Sequence, residues 1–405
     1  MKKNIILLIL CVITLICSTF TIASSEIIKL HSMGKTISGD IQGNTLIVEK
    51  INKRVLEIDT VADIVWQKTG LNLPNDAERL DNGNTLISEY ATFQVIEIDS
   101  AGNIVWQQTG INGPQDAERL DNDNTLITEA SGFRVIEIDK FGNIIWQHSG
   151  LNWPTDAERL ENGNTLIAES QAKRVIEVDN NGSIVWQKDN LSNPVDVERL
   201  HNGNTLITDS NLGCVIEVDN WGVIIREISG LNSPLDAERL PNGDILIAEY
   251  ANNRIVQINP DDEIVWEIKG LEGAVDVERL PNLPPSAPEI TGPTVGKMIT
   301  PIYFNFTSTD PNADTVSYRI KWGDGSDNLW SIPQNSGEPY CENHTWYLPI
   351  NYTIIAKAKD CHGAESDWTS LEIIIPRNKI FVSWILRFLD RFPIFFQLLS
   401  NFLVI

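Results

Sequence analysis

The stretch DAERLDNGNTLI at residues 76–87 decides how this chain folds. Its opening acid returns at Asp116, Asp156, Asp196, Asp236 and Asp276, each forty residues after the last. A fixed period of that size marks a repeat architecture. Within one period the unit reads as four short strands, DAERL, TLISE, QVIEID and IVWQ. Asn82-Gly83 between the first two is a hairpin signal, because both turn residues accept positive φ. A two-residue turn there sets Asp76 opposite Glu89. Val95, Ile96 and Ile98 are β-branched, so strand propensity agrees with the turns. A repeated four-stranded unit of this length is the signature of a propeller blade.

Residues 43–68 supply the second to fourth strands of such a unit with no first strand before them, and residues 276–280 supply a first strand alone. Joined, they complete a sixth blade from both ends of the segment. The expectation is an all-β, six-bladed β-propeller over residues 26–280, closed without an open sheet edge. Residues 26–40 offer a candidate extra strand.

The flanks differ from the repeats. Residues 1–25 carry Lys2 and Lys3, an apolar run over 5–16 and small residues at Ala23, Ser24 and Ser25, the pattern of a secretory signal peptide. Residues 281–288, PNLPPSAP, read as a stiff linker. Residues 289–376 show a further series of short strands and suggest a small β-sandwich. In the tail, 377–405, Phe381, Trp384, Ile385, Phe388, Leu389 and Phe392 fall at helical spacing, with Arg387, Asp390 and Arg391 on the other side. That describes an amphipathic helix suited to peripheral membrane contact, or to docking on a protein partner, rather than a span.

The net charge of −24 repels phosphate backbones and argues against a nucleic-acid partner. Secretion places the chain outside the cell, at or near its surface. In an oxidising compartment Cys341 and Cys361 are candidates for one disulfide.

Residues 247–259, IAEYANNRIVQIN, resemble an NHL repeat, and residues 174–186, RVIEVDNNGSIVW, resemble the repeat of PQQ-type propellers. NGNTLI, RVIEID and GNIVWQ together are similar to the blades of arylsulfotransferase-type propellers. These resemblances imply a propeller and carry little about activity, since one scaffold hosts many functions. The quinone site of PQQ enzymes is not visible, so PQQ is not expected. Residues 310–326, DPNADTVSYRIKWGDGS, and 358–368, AKDCHGAESDW, resemble PKD-type and fibronectin-like modules of secreted and surface proteins. The tail is similar to the short Phe-Pro-containing tails that follow such modules in archaeal surface proteins, which implies retention at the cell surface.

Candidate site residues fall into three groups. The repeated acidic pairs Asp76/Glu89, Asp116/Glu129 and Asp156/Glu169, with Asp310 and Asp324 beyond the repeats, are candidate metal ligands, calcium being the candidate ion. Competing with this is a structural use of the charges. Arg134, Arg174 and Arg254 open the third strand opposite the glutamates, and Glu78 and Arg79 point to opposite faces of the first strand, each toward a neighbouring blade. Trp66, Trp106, Trp146, Trp186 and Trp266 read as blade-packing residues. A role repeated in every blade favours scaffold, so function is sought where the repeats disagree. One place is the fifth blade, with Asp209, Cys214 and Arg226 replacing the usual glutamate, arginine and tryptophan. The other is the loop aromatics Tyr90, Phe93, Phe133, Trp153 and Tyr250, candidate contacts for a protein, glycan or small ligand. His148 and His201 read as surface residues. The leading expectation is an extracellular binding or scaffold protein. The alternative is a propeller enzyme of arylsulfotransferase, lyase or lactonase type, which requires converging metal ligands or a nucleophile–base pair.

Overall fold

The computed structural model describes residues 35–37 and 43–377. The expected leader and the expected amphipathic helix of the tail lie outside the described residues. What is described is all β-structure except for one 3-10 turn at Tyr250–Asn252. No helix among these residues is long and apolar enough to cross a membrane.

The repeats form antiparallel sheets whose strands follow chain order. In the first, Pro74–Arg79, Thr85–Glu89, Gln94–Ile98 and Ile104–Thr109 lie side by side. Four more sheets of this kind begin with Pro114–Arg119, Pro154–Arg159, Pro194–Arg199 and Pro234–Arg239. A sixth is assembled from distant pieces: Ala274–Arg279 pairs with Thr45–Glu49, which is followed by Arg54–Ile58 and Ile64–Thr69. The first strands touch in cyclic order, and the last of them, Ala274–Arg279, touches Pro74–Arg79. Lys35–Ile37 adds a fifth strand beside Ile264–Lys269.

Second strands are buried along their whole length, because neighbouring sheets cover both of their faces. The apolar core therefore lies between sheets. Leu86 and Val95 of one sheet pack with Ile127 and Ile136 of the next, and Leu126 and Val135 pack in turn with Ile167 and Ile176. Each such side chain contributes about 1.5–3 kcal/mol through burial.

The hairpin register departs from the sequence expectation. Arg79 pairs with Thr85, Asp76 with Ser88 and Pro74 with Glu89. The loop holds three residues, Asp81, Asn82 and Gly83, and only Gly83 takes positive φ, at 83°. Its amide donates to Leu80 O at 2.8 Å, and the Leu80 amide donates to Asn84 O at 2.9 Å. This is the loop form that ends in a left-handed glycine rather than the two-residue turn. A bulge between Pro74 and Asp76 shifts the register again. Asp76 and Glu89 are therefore not a cross-strand pair.

Beyond residue 280 two three-stranded sheets enclose one core. Glu289–Thr291, Ile302–Thr307 and Tyr340–His344 form one sheet, and Val316–Lys321, Asn351–Asp360 and Thr369–Ile374 the other. Burial alternates along the strands, and Phe304, Phe306, Tyr318, Trp322 and Trp346 fill the space between. No disulfide joins Cys341 to Cys361. Cys341 lies on the exposed side of a strand in the first sheet, whereas Cys361 sits in the turn that ends a strand of the second.

The segment 281–288 is pinned at several points. The Leu283 amide donates to Asn312 Oδ1 at 2.7 Å, and the Ser286 amide donates to Thr309 O at 2.8 Å. Asn44, in a turn of the composite sheet, donates to Asn312 O at 2.9 Å. The C-terminal unit thus touches the repeats on the side of their first hairpin turns.

Candidate functional site

The first strands surround a channel of about 350 Å³. In each repeat the acid of DAERL and the glutamate two residues later face it, with a small Ala or Val between them. Among the described residues six aspartates and six glutamates line the space, and no lysine, arginine or histidine joins them. Two residues of strand separate the aspartates from the glutamates by about 6–7 Å. The aspartates lie toward the loops that follow the second strands, the glutamates toward the first hairpin turns.

Each carboxylate accepts an amide from the next sheet. Asp76 takes the Ala117 N–H at 3.1 Å and Asp156 the Val197 N–H at 2.9 Å. Asp276 takes the Ala77 N–H at 3.0 Å, linking the last first strand to the earliest complete one. The glutamates do the same, Glu78 with the Arg119 amide at 2.8 Å and Glu278 with the Arg79 amide at 2.9 Å. One oxygen of each group therefore stitches neighbouring sheets while the ring faces open space.

Burial, followed by the charges of Asp276 and Asp116, raises Asp76 well above the usual carboxylate range. Burial raises Asp156 and Asp236 too, each then pushed further by the neighbouring channel aspartates. Among the glutamates burial is again the largest cause. Glu118 stands at about 6, Glu78, Glu158 and Glu238 at about 7, and Glu198 and Glu278 at about 8. The groups hold protons near neutrality because their charges are crowded and poorly hydrated.

The other repeated charges are engaged elsewhere. Glu89 accepts the Asn72 amide at 2.6 Å and the Thr92 hydroxyl at 3.1 Å, and its second oxygen also meets Gln94. Glu129 and Glu169 cap the matching loops through the Asn112 and Asn152 amides and pair with Arg134 and Arg174. Arg254 pairs likewise with Glu249. Buried, loop-capping and held by Gln94, Arg134 and Arg174 respectively, Glu89, Glu129 and Glu169 are not placed to share a cation with the channel aspartates. Arg79 reaches back to Glu57 of the preceding sheet at 2.7 Å and lies 5.0 Å over the Trp66 ring. Arg119 does the same with Glu97 and Trp106, Arg159 with Glu137 and Trp146, and Arg199 with Glu177 and Trp186. Arg279 lies over Trp266.

The departures in the sheet that begins with Pro194–Arg199 resolve locally. Asp209 is shorter than glutamate and takes the amides of Ser192, Asn193 and Leu212, so it is held without an arginine and Cys214 fills the space. Trp66 donates to Ser100 O across sheets at 2.9 Å. Arg226, in the equivalent position, donates to Asn259 O at 2.7 Å and pairs with Asp262.

The loop aromatics divide. Tyr90 leans toward Ser131 of the next sheet, and Tyr250 packs on a buried apolar cluster. Phe93 and Phe133 are about half exposed, at 51% and 48%, and take positive φ of 55° and 56°. Trp153 is partly exposed, also at positive φ. His148 stacks on Trp146 and His201 is exposed. In the C-terminal unit Asp324 meets His344 at 2.7 Å and Asp327 pairs with Arg319, whereas Asp310 lies at the other end of the strand Val316–Lys321. Asp310 and Asp324 therefore belong to different sites. The carboxylates that gather around Asp310 are Asp314 and Asp360; Asp360 escaped the sequence reading because only strand pairing brings it there.

No protein-family model matches the chain, and neither does any curated protein. Solved structures do match. A protein of unknown function from Bacteroides caccae is 16% identical over 58% of this chain and 98% of its own, with a TM-score of 0.52. A streptogramin B lyase is 14% identical over 58% of this chain and 86% of its own, with a TM-score of 0.46. The PKD domain of an M14-like peptidase from a Thermoplasmatales archaeon is 44% identical over 24% of this chain and 99% of its own, with a TM-score of 0.23. The repeats' own geometry, four-stranded antiparallel sheets repeated around a shared channel, is propeller-like.

Proposed function

We propose that the repeats form a six-bladed β-propeller, closed by the pairing of Ala274–Arg279 with Thr45–Glu49, and that the protein works outside the cell as a binding protein. Its channel takes a small cationic ligand, a divalent cation foremost. The observation that carries this reading is the two facing carboxylate rings without a basic side chain among the lining residues. Like charges at such spacing repel, and a cation relieves the repulsion of both rings at once. The exposed Phe93 and Phe133 form the outer recognition face for a protein or glycan, and the PKD-like unit and tail hold the propeller at the cell surface.

A propeller enzyme is the second reading, favoured by glutamates raised to about 6–8, a range that suits general acid–base work near neutrality. The same groups repeat in every sheet, which supplies no distinct acid and base.

Calorimetric titration of the full chain with Ca²⁺ at neutral pH tests the leading reading. Binding is expected to release protons, seen as an enthalpy that changes with the buffer's heat of ionisation. The double variant Glu198→Gln/Glu278→Gln is expected to weaken it about tenfold or more. Binding that releases no protons and ignores the double variant places the ion elsewhere. Absence of binding by Ca²⁺, Mg²⁺, Mn²⁺ and spermidine ends the cation reading.

A further inference from the structure

A second cluster lies in the C-terminal unit, apart from the channel. Three carboxylates, Asp310, Asp314 and Asp360, are 6%, 8% and 3% exposed, and each offers an oxygen within 4.8 Å of the others. Strand pairing explains the meeting: Val316 lies opposite Asp360, so the loop before one strand abuts the turn after the other. Among the described residues, the ion pair recorded for this trio is His362 Nδ1 with Asp314 Oδ2 at 3.1 Å. Buried carboxylates without a cation are costly.

Their hydrogen bonds leave a gap. Asp360 is satisfied, with Oδ1 accepting the His362 and Ala364 amides at 2.9 and 2.8 Å and Oδ2 accepting Asn282 Nδ2 at 2.9 Å. Asp310 Oδ1 takes the Asn312 and Asp314 amides at 2.9 and 3.2 Å. Asp310 Oδ2 is buried and has no hydrogen-bond partner among the described residues. A buried acceptor left open in a carboxylate cluster is a position for a cation.

The donors on the solvent side decide which cation. Asp314, Cys361 and His362 offer one ligand atom each within 4.8 Å. The Cys361 sulfur lies 3.4 Å from His362 Nδ1, which lies 3.1 Å from Asp314 Oδ2. Zinc bonds of about 2.0–2.3 Å in a tetrahedron place ligand atoms roughly 3.3–3.6 Å apart, close to these separations. Calcium takes six to eight oxygens and does not use thiolate, whereas sulfur and imidazole select transition metals.

We propose that Asp314, Cys361 and His362 hold a zinc-type divalent cation where the C-terminal sheets meet the repeats, with Asp310 and Asp360 as the carboxylates behind it. The ion ties the loop at 310–314 to the turn at 360–364. The same loop receives Asn44 of the repeats through Asn312 O, and Asp360 receives Asn282 of the connecting segment, so the clip braces the junction. The site is independent of the cation proposed for the channel.

The test is to strip the full chain with chelator and titrate it with Co²⁺, then displace the cobalt with Zn²⁺. One equivalent is expected to give thiolate-to-cobalt charge-transfer absorption. Cys361→Ser removes that absorption, and His362→Ala weakens binding about tenfold or more. Cys361 is exposed, so its variant is not a folding hazard. Asp76→Asn, in the channel, leaves the signal unchanged. A titration without thiolate absorption overturns the proposal, as does absorption that survives Cys361→Ser. Ca²⁺ binding that is lost on Asp310→Asn yet survives Cys361→Ser, His362→Ala and the channel variant Glu198→Gln/Glu278→Gln also overturns it, assigning the oxygens of Asp310, Asp314 and Asp360 instead.

Discussion

Asn84 donates to Glu97 at 2.7 Å, and the same amide–carboxylate contact recurs as Asn124 to Glu137 and Asn164 to Glu177. In the sheet of residues 234–269 the two chemistries trade places, and Gln257 donates to Asp244 at 2.6 Å. Both residues are buried. Gln257→Glu alone sets a second carboxylate against Asp244 and is expected to cost about 2–4 kcal/mol. Adding Asp244→Asn restores the usual pair and gives Arg279, which now meets Gln257 at 3.2 Å, a charged partner. Most of the loss is expected to return, and urea denaturation of the single and double variants measures it. Equal midpoints for the two would show that the sites do not couple. In the sequence such exchanges stand out as departures from the repeat, and Asp209, Cys214 and Arg226 are of the same kind. Contacts identify them as compensated substitutions, and those contacts run between residues that no single repeat contains.

At the scale of strands and turns, the edge strands offer a direct comparison. Ile104–Thr109 is hydrogen-bonded by a neighbour on one side, whereas Ile264–Lys269 has Arg254–Ile258 on one side and Lys35–Ile37 on the other. Trp266 and Ile268 are 1% and 0% exposed, while Trp66 is only half-buried. Amide exchange read by mass spectrometry is expected to be slower over 264–269 than over 104–109. Equal rates would mean that Lys35–Ile37 does not stay docked. The strands were legible in the sequence because the forty-residue period repeats every turn signal and every apolar run. The facing of side chains was not. One extra loop residue before the left-handed Gly83, and a bulge at Asn75, change which acid opposes which, and a one-residue slip turns a side chain to the other face. Asp76 was recognised as a repeated acid, but its place in a ring with Glu78 depends on that register.

The whole molecule inherits the chemistry of the rings. A carboxyl whose folded pKa is raised above its unfolded value, about 4.3 for glutamate, holds its proton longer in the folded chain. Its contribution to stability is complete below the unfolded value and is lost as pH rises through the folded ones, here about 6 to 8. In cation-free buffer the melting temperature is therefore expected to fall between about pH 5 and about pH 8.5. Glu278→Gln should flatten the decline, and scanning calorimetry across that range decides the matter. A melting temperature constant across it would mean that the rings titrate normally. The pairing of Thr45–Glu49 with Ala274–Arg279 has a further consequence, for the order in which the chain acquires its shape. The earliest strands are synthesised first and completed last, because their inner partner is made more than two hundred residues later. Until then Leu46, Ile47 and Leu56, fully buried in the finished protein, wait without their cover. Contacts so distant in sequence form slowly, and exposed strand edges invite pairing with other chains. A chain cut short before residue 274 should accordingly accumulate as aggregate rather than as a smaller ring, so folding must hold the beginning of this protein open for its end.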